Sequence, residues 1–345
     1  MKIIQPEAHI LPFSGDVLKH VERCGRIAYK SEDAITEDSH VKFIQHLIQR
    51  GHESVLEHGN YVFEVERTDF DFILSHYESI FFVHYEEKGY SRRLRFSKDT
   101  GRYIISGNIR AWRDVIRMLI DGRKRLPLCL AITFSKNPAF YDLDLSDVSE
   151  GKLNTHGFKQ LQRDDLTPEE QYIHWTETVL FKCSRAISHE LVRHRALSPT
   201  QESQRYCNYS KGKFGGEVTF IMPEYYKLCS ETYIEEPDLS RVAALGIQYA
   251  YHNGHGRFWL PDEAATWFNS VANAEKAYME LLNMGMQPQQ AREVLPNSTK
   301  TEVVMTGTIG EWIHFFNLRC AEDAHPEMRR LAKPLRTEFN VHYTV

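Results

Sequence analysis

The chain has 345 residues and a mass of 40.3 kDa, with 42% hydrophobic residues, 26% charged residues and a formal net charge of −5. This length allows about two domains, and the composition excludes a disordered tail, a coiled coil and a surface devoted to nucleic acid or anionic lipid. No run approaches the ~18 apolar residues of a membrane span, and Pro6 and Glu7 interrupt the stretch that would be apolar in a signal peptide. We therefore expect a globular, cytoplasmic protein that does not cross a membrane.

The amino-terminal part is predicted to form two helices and a strand. Helical periodicity covers residues 16–30 and 37–50, and Gly51 ends the second helix. A polar loop follows at residues 51–58, and the alternation of residues 61–65 is typical of a strand.

The interval 67–177 is expected to be an inserted, mainly helical subdomain. Apolar residues recur at helical spacing near residues 69–85 and 108–121, and a polar, turn-rich stretch follows near residues 136–170. Residues 1–66 and 178–345 would then form one domain that this subdomain interrupts.

The carboxy-terminal part is predicted to contain both strands and helices. The last helix is expected to stop at Pro334, because proline cannot donate the helical hydrogen bond. The predicted elements are strands at residues 178–183 and 218–222, a loop at 196–217, and helices at 184–195, 262–284, 308–319 and 326–333, with a short helix opening at Pro288.

The run from Arg193 to Tyr206 carries the densest set of cationic and polar residues. Guanidinium groups and neutral hydrogen-bond donors at this spacing can converge on one anionic ligand, such as a phosphate or an electron-rich ring. The alternative is a solvated basic helix end that only complements the helix dipole. The residues concerned are Arg193, His194 and Arg195 at the end of the predicted helix, and Gln201, Ser203 and Arg205 in the loop.

No metal site is predicted. His189 and His194 are five residues apart, whereas the zinc motif HExxH requires four, so the two rings cannot share one helix face. Without a further cluster at metal spacing, the polar residues of segment 51–58 are expected to form hydrogen bonds at helix termini. Those residues are His52, Glu53, Glu57 and His58.

Arg193-His-Arg195, a spacer, and then Ser203 followed by Gln-Arg-Tyr206 resemble the signature of flavin-dependent thymidylate synthases. Residues 51–58 resemble an early loop of that family, and residues 291–296 resemble its ARxxLP element. Asn317-Leu-Arg319, together with residues 324–329, resembles its carboxy-terminal substrate segment. The similarity covers about residues 15–66 and 178–335.

The resemblance implies an α/β fold with a helical bundle and a mixed or antiparallel sheet. It also implies a homotetramer that holds FAD between subunits. The reaction implied is conversion of dUMP to dTMP, with methylenetetrahydrofolate as the carbon donor and NADPH as the reductant of the flavin.

The resemblance also implies roles for individual residues. Ser203 and Arg205 are the catalytic candidates, because donors beside the uracil ring stabilise negative charge on its oxygen when C5 becomes nucleophilic. Ser203 lacks a histidine and carboxylate relay that sequence can identify, so we expect it to polarise the pyrimidine and not to act as a nucleophile. The dUMP candidates are Gln201, Ser203, Gln204, Arg205, Arg292 and Arg319, and the FAD candidates are Ser54, Arg193, His194 and Arg195.

Two positions depart from the family pattern. The family has an asparagine and an arginine that contact FAD where this chain has Thr308 and Gly310. Segment 106–112 repeats the missing pattern upstream, which makes Asn108 and Arg110 further FAD candidates. The alternative is a chance similarity between two amphipathic helices.

Two other functions remain open at this point. A related flavoenzyme could transfer another one-carbon unit to a pyrimidine nucleotide. An RNA-binding protein could use the basic surface between Arg185 and Arg205, although the acidic net charge and the lack of an aromatic RNA-binding pattern disfavour any nucleic-acid partner.

Overall fold

The computed structural model describes residues 1–84, 93–98, 101–122, 126–148, 156–224, 247–252 and 257–343. The strands are β1 (Lys2–Ile4), β2 (Glu7–Ile10), β3 (Asn60–Val65), β4 (Arg95–Ser97), β5 (Tyr103–Asn108), β6 (Lys159–Gln160), β7 (Thr176–Ser184), β8 (Ser198–Gln201), β9 (Thr219–Ile221), β10 (Ile247–His252), β11 (Arg257–Pro261) and β12 (Lys300–Thr308). The α-helices are α1 (Val17–Tyr29), α2 (Ser39–Gln49), α3 (Arg67–His84), α4 (Ile109–Asp121), α5 (Leu128–Phe134), α6 (Pro168–His174), α7 (Arg185–Leu191), α8 (Asp262–Asn283), α9 (Pro288–Ala291), α10 (Ile309–Arg319) and α11 (Pro326–His342).

Two four-stranded antiparallel sheets organise the fold. The first sheet has the order β4-β5-β3-β6, and the second has the order β2-β7-β12-β8. Its longest pairing joins β12 to β7 over nine residue pairs, from Lys300 opposite Ser184 to Thr308 opposite Thr176. Two smaller pairs, β1 with β9 and β10 with β11, complete the sheet structure of the described residues.

Each large sheet packs its helices over a separate apolar core. On the first sheet, the fully buried ring of Trp112 on α4 meets Phe63 of β3 with their centroids 5.5 Å apart. On the second, Trp312 of α10 packs against Phe339 of α11 at 5.5 Å. Each fully buried aromatic side chain contributes about 1.5–3 kcal/mol of transfer free energy, so these helices are held mainly by their apolar faces.

The α/β class and the long helices expected from periodicity are confirmed, as α1, α2, α4, α8 and α10 show. The expected end of the last helix at Pro334 is wrong, because α11 continues to His342. A proline inside a helix costs about 3 kcal/mol, and the burial of Leu331, Leu335 and Phe339 on the same helix offsets that cost.

Short strands account for most of the other differences. The expected loop 196–217 contains β8, which gains its conformation by pairing with β12. The interval 67–177 contributes β4, β5 and β6 as well as helices, and β5 pairs with β3 over six residue pairs. A sheet therefore crosses the boundary expected after residue 66.

Among the helices that the structure describes, none combines the length and the apolar character that crossing a bilayer would require.

Candidate functional site

The Arg193-His194-Arg195 triplet lies in a turn, not at the end of a helix. Helix α7 begins at a cap formed by Ser184, whose side chain accepts a bond from the backbone of Ile187, and it ends at Leu191. The backbone of His194 then donates to the carbonyl of Leu191 at 3.1 Å. The helix expected over residues 184–195 is therefore shorter, and the triplet follows it on a tight turn. Arg193 and Arg195 are exposed there.

His194 and Arg319 meet across the site. Nε of Arg319 donates to Nε2 of His194 at 2.8 Å, and NH1 of the same guanidinium lies 2.9 Å from Oε2 of Glu190. The His194 ring also lies 5.0 Å from the ring of Phe315 on α10. The triplet and the end of α10, which are far apart in sequence, thus form one polar cluster.

Burial and the positive charges of Arg319 and His314 lower the pKa of His194 to about 4. Because an arginine can only donate, the Nε2 atom that accepts its bond carries no proton. His194 is therefore neutral at pH 7, with its proton on Nδ1, and it orients the Arg319 guanidinium.

Gln201 lies at the end of β8, on the same side of the second sheet as α7. Its Nε2 donates to Oγ of Ser188 at 2.9 Å and to Oγ1 of Thr301 at 3.2 Å. These bonds fix the side chain between α7 and β12, so the structure places Gln201 on a strand end and not in a loop as expected.

The Ser203-Gln204-Arg205 segment is anchored on α1. The backbone of Ser203 donates to the carbonyl of Ala28 at 3.1 Å, and Gln204 is buried. Arg205 is exposed, with its guanidinium 5.8 Å from the centroid of the Tyr206 ring. The backbone of the segment is therefore fixed while the arginine side chain faces solvent.

Two tyrosines connect this segment to the loop that carries Ser54. The Tyr206 ring lies 5.8 Å from the ring of Tyr29, and the Tyr29 hydroxyl lies 2.9 Å from Nδ1 of His52. Ser54 is exposed two residues further along the chain. The loop that carries Ser54 is therefore connected to the Ser203 segment through Tyr29.

Arg292 follows the short helix α9 and is close enough to Arg185 to affect it. Burial, and then the charge of Arg292, lower the pKa of Arg185. Nε of Arg292 is buried and lies 3.6 Å from Oε1 of Glu293, which is too far for a hydrogen bond. The positive charge of Arg292 therefore acts on Arg185, and both guanidinium groups can pair with an anion.

The carboxylate of Glu57 links Arg110 to Ser198, which lies close to the triplet in the sequence. NH1 of Arg110 lies 2.7 Å from Oε1 of Glu57, and the other oxygen of Glu57 accepts a bond from Oγ of Ser198 at 3.0 Å. Ser198 stands three residues after Arg195. Nε of Arg110 is buried and has no hydrogen-bond partner among the described atoms.

Asn108 and Thr308 occupy the same structural position in two helices. The Asn108 side chain caps α4 by accepting from the backbone of Ala111, and Thr308 caps α10 by accepting from the backbone of Glu311. A β-carbon at Gly310 would lie 2.7 Å from the ring of Tyr172, so a side chain there would require the exposed Tyr172 to move. Asn108 and Arg110 therefore hold positions on α4 equivalent to those of Thr308 and Gly310 on α10.

The expectation that the polar residues of segment 51–58 bond helix termini is wrong. Burial alone would raise the pKa of Glu53. Hydrogen bonds from Arg117 and the charge of Arg113 outweigh burial and lower that pKa to about 2. His58 bonds two threonine hydroxyls, His52 bonds Tyr29, and Glu57 bonds Arg110. Among the residues that the structure describes, no group of three histidine, cysteine or acidic side chains is placed to hold a metal ion.

Several residues of the site carried no recognisable sequence signal. Glu190 belongs to the segment that fails as a zinc motif, and its contact with Arg319 depends on how α7 and α10 pack. Ser188 and Tyr29 are equally ordinary in sequence. In the sequence, Glu57 is visible only as one of the polar residues of segment 51–58, and its contacts with Arg110 and Ser198 depend on the tertiary structure.

Fold and site together define an α/β protein in which Arg319, at the end of α10, contacts His194 in the turn after α7, while Gln201, at the end of β8, bonds Ser188 of α7. The family described as thymidylate synthase complementing protein matches residues 11–76 and 171–342. The chain therefore belongs to that family.

Three curated relatives are similar to the chain, and each is named flavin-dependent thymidylate synthase. The relative from Pyrococcus abyssi is 30% identical over 236 residues, covering 65% of this chain and 79% of its own length. That from Pyrococcus furiosus is 29% identical over 200 residues, covering 55% and 68%. That from Corynebacterium aurimucosum is 33% identical over 165 residues, covering 46% and 55%.

A solved structure, the UMP/dUMP methylase PolB from Streptomyces cacaoi bound with 5-Br dUMP, aligns over 99% of this chain and 93% of its own. Its sequence identity is 16% and its TM-score is 0.36, so the superposition is loose.

Proposed function

We propose that this chain is a flavin-dependent thymidylate synthase that converts dUMP to dTMP. The observation that carries the proposal is the contact between His194 and Arg319, two residues of separate family motifs. Ser188 of α7, the helix that precedes His194, holds the side chain of Gln201. The family membership and the names of the relatives support the same activity.

The residues present fit an FAD molecule. Arg193 and Arg195 are exposed and can pair with a pyrophosphate, while the buried Nε of Arg110 is an unused donor behind Glu57. Ser54, Arg193, His194, Arg195, Asn108 and Arg110 would hold the cofactor. FAD reduced by NADPH supplies the hydride, and methylenetetrahydrofolate supplies the carbon.

Arginines of the site would bind the anionic parts of dUMP. Arg292, with Arg185 beside it, and the exposed Arg205 offer forked donors for the phosphate and the pyrimidine oxygens. Arg319 is aimed by His194 and Glu190, so its geometry is set before the nucleotide arrives. Preorganised donors of this kind lower the cost of binding and of charge development.

Ser203 and Arg205 would stabilise the reacting pyrimidine. The backbone anchor on Ala28 fixes the Ser203 segment, which allows its hydroxyl to hydrogen-bond a uracil oxygen while Arg205 neutralises the charge that develops there. Neither residue needs to form a covalent bond to the substrate. We further propose that the enzyme acts in the cytoplasm and uses NADPH and the folate as co-substrates.

The test is to purify the protein, extract its cofactor and assay it with dUMP, methylenetetrahydrofolate and NADPH. We expect a yellow protein that releases FAD and forms dTMP, identified by mass. A product with a different added mass would identify another one-carbon transfer. A colourless protein that ignores added FAD would contradict the proposal.

A further inference from the structure

The two large sheets have matching topology. In the first sheet, β3 is flanked by β5 and the short β6, and β4 lies beyond β5. In the second, β7 is flanked by β12 and the short β2, and β8 lies beyond β12. The pairings are antiparallel in both sheets, and each of the strands β5 and β12 leads directly into a helix.

A histidine in each half makes equivalent bonds to the opposite sheet. His58, which precedes β3, has Nδ1 2.8 Å from Oγ1 of Thr306 and Nε2 2.7 Å from Oγ1 of Thr200. His174, which precedes β7, has Nδ1 and Nε2 each 2.8 Å from a hydroxyl oxygen of β5 or β4. Those two hydroxyls belong to Ser106 and Ser97.

The strand registers agree with this correspondence. Ser106 lies opposite Arg95 in the first sheet, and Thr306 lies opposite Ser198 in the second. Close packing is repeated as well. A β-carbon at Gly107 would lie 2.5 Å from Leu94, and one at Gly307 would lie 2.1 Å from Leu197.

We infer that the chain contains two copies of one structural unit, residues 58–121 and 174–319, and that only the second copy binds the nucleotide. The second part of this inference rests on the proposed function. The copies face each other through His58 and His174, so the segment expected to be an insertion is the counterpart of the catalytic unit.

The first copy has lost the nucleotide-binding residues. The register that matches Ser97 to Thr200 places Lys98 where the second copy has Gln201. Counting from the caps Asn108 and Thr308, Leu119 stands where the second copy has Arg319. Leucine cannot pair with a phosphate or a carboxylate.

Arg102 of the first copy, the counterpart of Arg205, forms internal ion pairs. Arg102 lies five residues after Ser97, as Arg205 lies five residues after Thr200, the residue that Ser97 matches in the register. Nε of Arg102 lies 3.2 Å from Oε1 of Glu64, and its NH1 lies 3.0 Å from Oε2 of Glu170. Arg205 is exposed, whereas Arg102 is half-buried and paired with two carboxylates, which compete with an anionic ligand for its guanidinium.

The first copy instead contributes to the site of the second. Arg110 lies on its helix α4 and reaches Ser198 through Glu57, as described above. The corresponding position of the second copy is Gly310, beside the ring of Tyr172. One chain would therefore hold one nucleotide site assembled at the junction of the two copies.

Titration calorimetry of the FAD-loaded protein with dUMP tests this assignment. We expect one dUMP per chain. Arg205→Ala should weaken binding about tenfold or more. Lys98→Ala, at the exposed position of the first copy that corresponds to Gln201, should leave the affinity unchanged.

Two dUMP molecules per chain, or a loss of one class of sites in Lys98→Ala, would overturn the inference while leaving the proposed function in place. Absence of any heat with dUMP would instead contradict the proposed function, and the nucleotide assignment with it.

Discussion

Nε of Arg319 donates a hydrogen bond of 2.8 Å to Nε2 of His194. The bond requires a neutral imidazole, and burial with the charges of Arg319 and His314 supplies that condition by lowering the pKa of His194 to about 4. His194 therefore accepts a hydrogen bond that orients the Arg319 guanidinium, and it carries no charge at neutral pH.

Replacing His194 should release Arg319 and weaken nucleotide binding. We expect His194→Ala to raise the KM for dUMP about tenfold, and His194→Gln, whose amide oxygen can still accept from Arg319, to raise it less. In the wild-type enzyme His194 should add no pH dependence to the KM between pH 8 and pH 6, because it stays neutral through that range. An inflection near pH 6.5 that disappears in the alanine variant would contradict this assignment.

Arg110 should contribute to FAD affinity. Arg110→Ala removes a charge-assisted contact of about 1.5–3 kcal/mol, so FAD should bind about 10- to 150-fold more weakly while dUMP affinity changes less. The measurement is an FAD titration followed by flavin fluorescence, beside Thr308→Ala.

Arg117→Ala is the matched control for Arg110→Ala. Arg117 lies on the same helix and binds Glu53, a neighbour of Ser54, with NH2 2.6 Å from Oε1. If Arg110 only holds the Ser54 loop in place, the two variants should lose FAD affinity equally. A loss confined to Arg110→Ala supports direct contact, and an unchanged affinity in that variant excludes it.

Ser203 and Arg319 should affect different kinetic constants. Ser203→Ala removes a donor to the developing negative charge and should mainly lower kcat, whereas Arg319→Ala removes ground-state binding and should mainly raise KM. Steady-state kinetics with dUMP separates the two effects. Calorimetry that finds equal dUMP affinity for wild type and Arg319→Ala would refute the role of Arg319.

Buried neutral histidines should make the fold sensitive to acid. Burial and the charge of His20 lower the pKa of His58 to about 3. Between pH 6.5 and pH 3, His58 takes up a proton in the unfolded chain but not in the native chain. The contribution of His58 to the free energy of unfolding is therefore full above pH 6.5. It falls by about 1.4 kcal/mol per pH unit as the pH decreases below that value.

Urea unfolding at pH 7 and pH 5 measures that effect. His58→Gln can keep hydrogen bonds to Thr306 and Thr200 without titrating, so it should lose about 2 kcal/mol less than wild type between the two pH values. His46→Gln, at an exposed position, is the control. An equal loss in wild type and His58→Gln would show that His58 does not contribute.

Gly307 should tolerate no side chain. A β-carbon there would lie 2.1 Å from Cδ2 of the buried Leu197, so Gly307→Ala should lower the free energy of unfolding by about 1–3 kcal/mol. Adding Leu197→Ala should remove the clash, and a double-mutant cycle would then show a favourable coupling. Additive losses would mean that the two residues do not collide.

The amino-acid sequence by itself determines the local elements and the chemical character of the site. Apolar residues at helical spacing predict α1, α2, α4 and α10, because a helix that buries one face needs only its own periodicity to be recognised. The triplet around His194 and the Ser203 segment are likewise visible as residue types at fixed spacing.

Only the tertiary structure decided how distant segments meet. Strands β4, β6 and β8 are too short to show a period, and each forms because a neighbouring strand supplies its hydrogen bonds. Helix α11 continues past Pro334 because its buried face outweighs the lost hydrogen bond. The bonds of His58 to Thr306 and of Arg319 to His194 join residues that no local pattern connects, since they depend on the packing of whole sheets and helices.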